Sequence, residues 1–238
     1  MDKKIVKYQK DVLRVLSGRV GNFYLAGGTA LSLFYFQHRL SVDLDFFARD
    51  FVYSDIKRIV AYLKNTLNKK IALKGQSLKE KTAKIVVYNV HFTAKDMLKI
   101  DFVEDTVDLL KEPKLVDGIR VLSLEDIYLR KLYALVGMFK AADETGRDKF
   151  IGGRTDAKDF YDVYFLSHTF MSLSEFVAKY CDHAIMEAIV RWFRTFDRMC
   201  MMDGILTLTA NKTVDYKSIE RHFKAEVNKI IEYEIGEL

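Results

Sequence analysis

The sequence predicts an α+β fold, a mixed-sheet core at the N-terminal end followed by a C-terminal helical bundle. Two observations predict it. Up to about residue 122, short runs of branched or alternating apolar residues interleave with segments of helical period. From Ser123 onward only helical periods recur, so the chain divides into an α/β domain over 1–122 and a helical domain over 123–238. With 238 residues, half of them hydrophobic and 30% charged, the chain can bury a sizeable core and does not have a disordered composition.

Residues 4–17 carry Ile5, Val6, Val12, Leu13 and Leu16 at helical spacing, and Gly18 and Gly21 close the segment. NFYLAG reads as a short buried strand, and GTALSLFYF, entered through Gly27 and Gly28, as an apolar helix. VDLDFFA alternates in polarity around two aspartates and reads as a strand. A helix is expected over 54–68, with Ser54 as N-cap and Ile56, Ile59, Val60 and Leu63 on its inner face. Strands are expected near 70–76, 83–92 and 97–104. Asp117-Gly118 between KLV and IRV is a strong two-residue hairpin signal.

In the second half, Ser123 and Asp126 fit a helix-capping pair, and the apolar period continues through Ile127, Leu132, Leu135 and Met138. AADETGRDKFIGGRTD is polar and glycine-bearing and is expected to be a mobile loop. Helical periods resume at about 156–168, 173–181, 184–200 and 216–235. A cleft between an α/β half and a helical half is a common place for a ligand.

Several function classes are disfavoured. No apolar run approaches the roughly 20 residues that cross a bilayer, and the opening MDKKIVKYQK lacks an apolar signal core. Cys181 and Cys200 have no metal-ligand spacing and read as reduced thiols, so the expected location is cytoplasmic. The formal charge of +5 permits a nucleotide or RNA partner without selecting one.

Chemistry enters with Asp43 and Asp45. Residues two apart on a strand share a face, so these carboxylates project together while Leu44 and Phe46 face a core. Paired carboxylates repel, and a divalent cation such as Mg²⁺ relieves that by taking one or two of them with substrate phosphates and water. Asp101, embedded in LKIDFVED, joins as a third ligand and general base if its strand lies beside VDLDFFA. Upstream, Gly27 and Gly28 expose backbone N–H groups at a strand-to-helix turn where an anion is favoured, and Thr29 adds a hydroxyl. A phosphate cradle and metal carboxylates in one strand–helix–strand unit suit a nucleoside triphosphate. His38 is expected to orient a loop, and the basic, aromatic stretch RWFRTFDR to be a solvated amphipathic face that could meet RNA.

The stretch LAGGTALSLFYFQHRLSVDLDFF resembles the first motif of the AbiEii/AbiGii toxin family of nucleotidyltransferases, within the DNA polymerase β-like superfamily. The residues that carry the resemblance are Gly27, Gly28, Thr29, His38, Arg39, Ser41, Asp43 and Asp45. KIDFV, RKLYAL and RTDAKDFYDVYFL resemble the next three motifs, in order, over about residues 23–166. The resemblance implies a nucleotidyltransferase core in the first domain, with the helical domain completing the active-site cleft. It implies Asp43, Asp45 and Asp101 as ligands of Mg²⁺, with Mn²⁺ as the alternative. Gly27, Gly28, Thr29, Arg39 and Ser41 would lie near the triphosphate. Lys131 would neutralise phosphate charge, and Asp159 would be a further active-site carboxylate, positioning Lys131 or an acceptor group.

By the same resemblance, the chain would move a nucleoside monophosphate from an NTP to an RNA such as tRNA, or to a protein hydroxyl. It would be the toxin of a toxin–antitoxin or phage-defence pair, with an antitoxin protein as partner. Two other readings stand beside this one: a nucleotide- or antitoxin-binding module without turnover, and a small-molecule transferase of the antibiotic-modifying kind.

Overall fold

The computed structural model of the chain describes residues 3–79, 82–142, 146 and 148–236. It contains two compact units, Met1–Asp126 and Ile127–Leu238. The class is mixed α/β, as the interleaved patterns predict.

In the first unit, helix α1 (Lys3–Leu16) buries Val12, Leu13 and Leu16. Strand β1 (Tyr24–Ala26) leads directly into helix α2 (Gly27–Ala30), which continues as a π-helical turn over Leu31–Tyr35. Strand β2 (Asp43–Ala48) alternates half-buried and buried positions along its length, and Leu44 and Phe46 are fully buried. Helix α3 (Tyr53–Leu67) buries Ile56, Ile59 and Leu63. Its N-cap is Val52, without a side-chain cap, so Ser54 does not cap the helix as expected. The N-cap lies two residues earlier than the polar signal suggests, and Asp55 in the first turn supplies favourable charge to the exposed N–H groups.

Strands β3 (Lys70–Ser77), β4 (Ile85–His91), β5 (Met97–Glu104), β6 (Lys114–Val116) and β7 (Ile119–Val121) follow. Asp117 and Gly118 both adopt positive φ, 50° and 75°, as a tight two-residue hairpin turn between β6 and β7 requires. Among the described residues the seven strands form one sheet in the order β3-β4-β5-β2-β1-β7-β6. The pairs β2–β5 and β1–β7 are parallel, and the others are antiparallel. Phe46 and Phe23 both pack on Phe102, at ring-centroid distances of 5.7 and 5.2 Å, which anchors β2 and β5 from the buried face. The opposite face of these two strands carries Asp43, Asp45, Lys99 and Asp101.

Helix α4 (Leu124–Val136) starts at the predicted Ser123–Asp126 pair, where the Asp126 N–H donates to Ser123 Oγ at 3.0 Å. It stops before Met138. Gly137 takes φ +100° and lies against the Ile151 backbone too closely for any side chain. The chain then forms a hairpin of β8 (Gly137–Ala142) and β9 (Asp148–Gly152) where a loop was expected. Asp143, Glu144, Thr145 and Arg147 of that expected loop lie outside the described residues.

Helices α5 (Ala157–Thr169), α6 (Leu173–Tyr180), α7 (His183–Thr195), α8 (Arg198–Thr207) and α9 (Tyr216–Gly236) complete the second unit. α5 is buried over most of its length, with Phe160 stacked on Phe223 of α9 at 4.4 Å. The single helix expected over 184–200 is two helices. Asp197 caps α8 by accepting from the Cys200 N–H at 2.9 Å, while Phe196 is extended and packs on Trp192 at 5.1 Å. Because Phe196 stays buried, the apolar period runs through the break and hides it. Among the described residues no helix is long and apolar enough to cross a membrane.

Candidate active site

The parallel pairing of β2 with β5 sets Asp43 opposite Lys99 and Asp45 opposite Asp101. With a side-chain period of two, all four charged groups belong to one face of adjacent strands. Asp101 is buried, and its Oδ1 has no hydrogen-bond partner among the described residues. Its Oδ2 accepts from Lys99 Nζ at 2.9 Å, and the same ammonium lies 3.1 Å from Asp43 Oδ2. Lys99 thus bridges two of the three carboxylates. Burial raises the Asp101 carboxyl above its ordinary value; Lys99 opposes that rise and Asp43 adds to it. Burial acts to lower Lys99, but its hydrogen bonds to Asp101 and Asp43 prevail and hold the ammonium above its ordinary value.

Gly27 follows Ala26, the antiparallel partner of Asp45. Its φ is +67°, and a Cβ there would lie 2.7 Å from Asp45 Oδ2. Gly28 is equally constrained: a Cβ would meet the Arg39 guanidinium and lie 3.1 Å from Ser41 Oγ. The glycine pair therefore lets Asp45 and Arg39 close on the backbone at the start of α2. Gly27→Ala is expected to cost at least about 1–2 kcal/mol from the left-handed backbone alone and to displace Asp45. A thermal melt and a nucleotide-binding titration check the two effects separately.

Thr29 is fully buried, and its hydroxyl is within hydrogen-bonding reach of Ser41 Oγ (2.8 Å) and of the Asp43 carbonyl. The carbonyl can only accept, so Thr29 donates to it and accepts from Ser41. The buried Gln9 amide donates to the Ser41 and Asp43 carbonyls at 2.7 and 3.3 Å. Arg39 is buried, and Nη1 donates to the Leu40 carbonyl at 3.0 Å. Buried His38 meets Phe36 edge-on at 5.9 Å. Together these contacts fix the entry of β2 and hence the direction of its carboxylates.

Sequence reasoning overlooked Lys99 and Gln9. Lys99 had a signal, since it stands two residues before Asp101 and so shares its face. Gln9 had none beyond a polar residue in an apolar helical period.

In the second unit Lys131 Nζ donates to Asp159 Oδ1 at 2.6 Å and lies 2.7 Å from Asp162 Oδ2. Arg154 Nε donates to the other oxygen of Asp159. Lys131, Asp159 and Asp162 are all buried, Lys131 pairs with both carboxylates, and Arg154 pairs with Asp159. Burial would raise the Asp159 carboxyl, but the Lys131 charge and the Arg154 hydrogen bond outweigh it and hold it below the ordinary range. Asp159 thus pairs with both Lys131 and Arg154.

Residues 12–235 match the family described as the nucleotidyl transferase AbiEii toxin of type IV toxin–antitoxin systems. The chain belongs to this family. As an AbiEii member it is a nucleotidyltransferase by family, and the toxin assignment follows from the same match. Its fold is similar to that of two proteins of known structure. One, from H. pylori and described provisionally as a nucleotidyltransferase, shares 19% identity at a TM-score of 0.64, covering 97% of this chain and 96% of that one. The other is JHP933 from Helicobacter pylori, with 18% identity and a TM-score of 0.61 over 99% and 97% of the two chains. At such identities the likeness concerns fold alone. No curated protein matches the chain.

Proposed function

We propose that this AbiEii protein transfers a nucleoside monophosphate from an NTP to an acceptor hydroxyl, with Mg²⁺ held by Asp43, Asp45 and Asp101. The observation that carries the reading is the shared face of β2 and β5. Three carboxylates stand there in register, one with a buried oxygen that lacks a partner among the described residues.

A divalent cation fits this donor set in part. The donors are all carboxylate oxygens, and Lys99 already supplies positive charge between two of them. Among the described residues no three acidic, histidine or cysteine groups converge closely enough to cage a metal. Mg²⁺ needs no such cage, because substrate phosphates and water complete its shell. When bound, it would offset triphosphate charge and stabilise the attacking and leaving oxygens.

The chain's own residues then have defined tasks. Backbone N–H groups at Gly27 and Gly28 would receive phosphate oxygens, aided by the Arg39 guanidinium beside Gly28. Thr29 and Ser41 would act from behind by holding the entry of β2. Asp101, with a raised carboxyl and an open Oδ1, would take the acceptor's proton as its oxygen attacks the α-phosphorus and pyrophosphate leaves. Lys131 and Asp159 belong to the proposal through the family motifs, Lys131 as a phosphate-facing cation and Asp159 as the group that positions it. The acceptor is an RNA or a protein hydroxyl, and an antitoxin protein is the partner. The setting is cytoplasmic.

Lys99 favours a second reading, a nucleotide-binding module without turnover, since its ammonium occupies the space between Asp43 and Asp101. Lys99→Met distinguishes the two. On the transfer reading, the variant loses stability without divalent cation and gains more melting temperature from Mg²⁺ than wild type, because the carboxylates then repel unless a metal joins them. Indifference of the variant to Mg²⁺ and Mn²⁺ would favour the binding module.

The direct test is incubation with labelled NTPs, Mg²⁺, total RNA and protein. Label in RNA or protein, abolished by Asp43→Ala, is the expected result. Label in a low-mass product would shift the acceptor to a small molecule, and no label in any fraction defeats the transfer reading.

A further inference from the structure

Helices α7, α8 and α9 line an open groove of about 590 Å³ whose walls carry an unbalanced charge. Lys217, Arg221 and Lys224 succeed one another at i, i+4 and i+7 on one face of α9, and Arg194 reaches the same space from the last turn of α7. All four are exposed, and none has a hydrogen bond or ion pair among the described residues. The acidic residue lining the groove, Glu220, is committed to Arg198 Nε at 2.9 Å. Arg198 is further held by the Phe193 carbonyl at 3.2 Å and by the Phe196 ring at 4.7 Å. Four cations thus converge with no counter-charge of their own. Holding like charges around one concavity is unfavourable unless an anion joins them.

We propose that this groove binds the phosphodiester backbone of a single RNA strand. Successive α9 cations are one helical turn apart, about 5–6 Å, so they present a row of charge to a chain of phosphates and not a single point. A protein partner fits less well, because Phe193 and Val227 of the lining are buried and no exposed aromatic anchor stands in the groove. Asn228, the next residue on the same α9 face, adds an amide that can both donate to and accept from a ribose 2′-hydroxyl. The site does not depend on the carboxylates of β2 and β5, so it can be tested with the transfer chemistry disabled.

The test is fluorescence anisotropy of a labelled 20-nucleotide single-stranded RNA with full-length Asp43→Ala protein, without NTP or divalent cation. Neutralising four phosphates contributes a salt slope of about −3, a loss of roughly 50-fold between 50 and 200 mM salt. Arg221→Gln with Lys224→Gln is expected to make the slope about 1.4 shallower, so that roughly sevenfold of that loss remains. Arg194→Gln with Lys217→Gln should do the same from the other wall. All four residues are exposed, so unchanged melting curves are expected for both pairs. A DNA strand of the same sequence should bind more weakly than RNA, and Asn228→Ala should narrow that gap. The proposal is overturned by RNA affinity and slope unchanged in both double variants, by DNA binding as tight as RNA, or by a polyglutamate peptide displacing the RNA at equal concentration. None of those outcomes would touch the transfer reading, because the protein assayed is already inactive on that reading.

Discussion

Asp101→Asn is expected to lower nucleotidyl transfer by about 10³-fold or more while leaving the first unit folded. Asparagine keeps the shape and still offers Lys99 a carbonyl oxygen, so packing between β2 and β5 is preserved. What disappears is a negative charge and a proton acceptor. General-base catalysis contributes typically 10²–10⁴-fold, and loss of a charged metal ligand adds to that. Stability should hold or rise slightly, because burial already disfavours the Asp101 carboxylate and Asp43 repels it. Activity and stability moving in opposite directions marks a functional group; a merely structural carboxylate would lose both. The same raised carboxyl sets a pH dependence. The deprotonated form is the competent one, so activity should fall on acidification through a value above the ordinary carboxylate range. A pH–rate profile with an acid limb at the unperturbed aspartate value, about 3.9, would count against Asp101 as base.

Lys131→Met should produce the largest loss of stability. It leaves Asp159 and Asp162 buried without the ammonium that pairs with both, and breaking one side of a buried charge network costs about 3–5 kcal/mol. Adding Asp162→Asn to Lys131→Met removes one of the two buried negative charges and should recover part of that loss, which a double-mutant cycle in urea would resolve. Acid should act on the same network. The folded-state carboxyl of Asp159 lies below its unfolded value, so its stabilising contribution is complete above about pH 4 and is lost as pH falls through the depressed folded value. Lys131→Met should therefore flatten the acid dependence of unfolding below about pH 4. If Lys131 instead serves only a bound phosphate, the variant would melt like wild type and lose activity alone.

Much of this arrangement is legible in local patterns. The alternation of VDLDFFA aims Asp43 and Asp45 to one face, and Asp117-Gly118 specifies its own turn, because each depends on neighbours in sequence. The Ser123–Asp126 cap is local in the same way. The partnership of β2 with β5 is not local. Paired residues of the two strands, such as Asp45 and Asp101, are 56 positions apart in the chain, so the sequence allows Asp101 to join the site without deciding that it does. Lys99 could be placed on the face of Asp101 by period, yet only the register opposite Asp43 makes it a bridge between carboxylates. The Thr29 hydroxyl, read as part of a phosphate cradle, turns inward to the Asp43 carbonyl because the helix it begins packs directly against β2. The β8–β9 hairpin was obscured by its glycines and charges, which are also the usual composition of a loop. The break at Asp197 carried a cap signal, but Phe196 kept the apolar period intact across it.

The central claim, that Asp43, Asp45 and Asp101 support nucleotidyl and not phosphoryl transfer, is most directly tested by the position of the label. The protein is incubated with Mg²⁺, total RNA and protein, once with α-phosphate-labelled and once with γ-phosphate-labelled NTPs. Label reaching an acceptor from the α position, with γ label released as pyrophosphate and both abolished by Asp101→Asn, is the predicted result. Transfer of the γ label, or α transfer that persists in the Asp101→Asn protein, would contradict it.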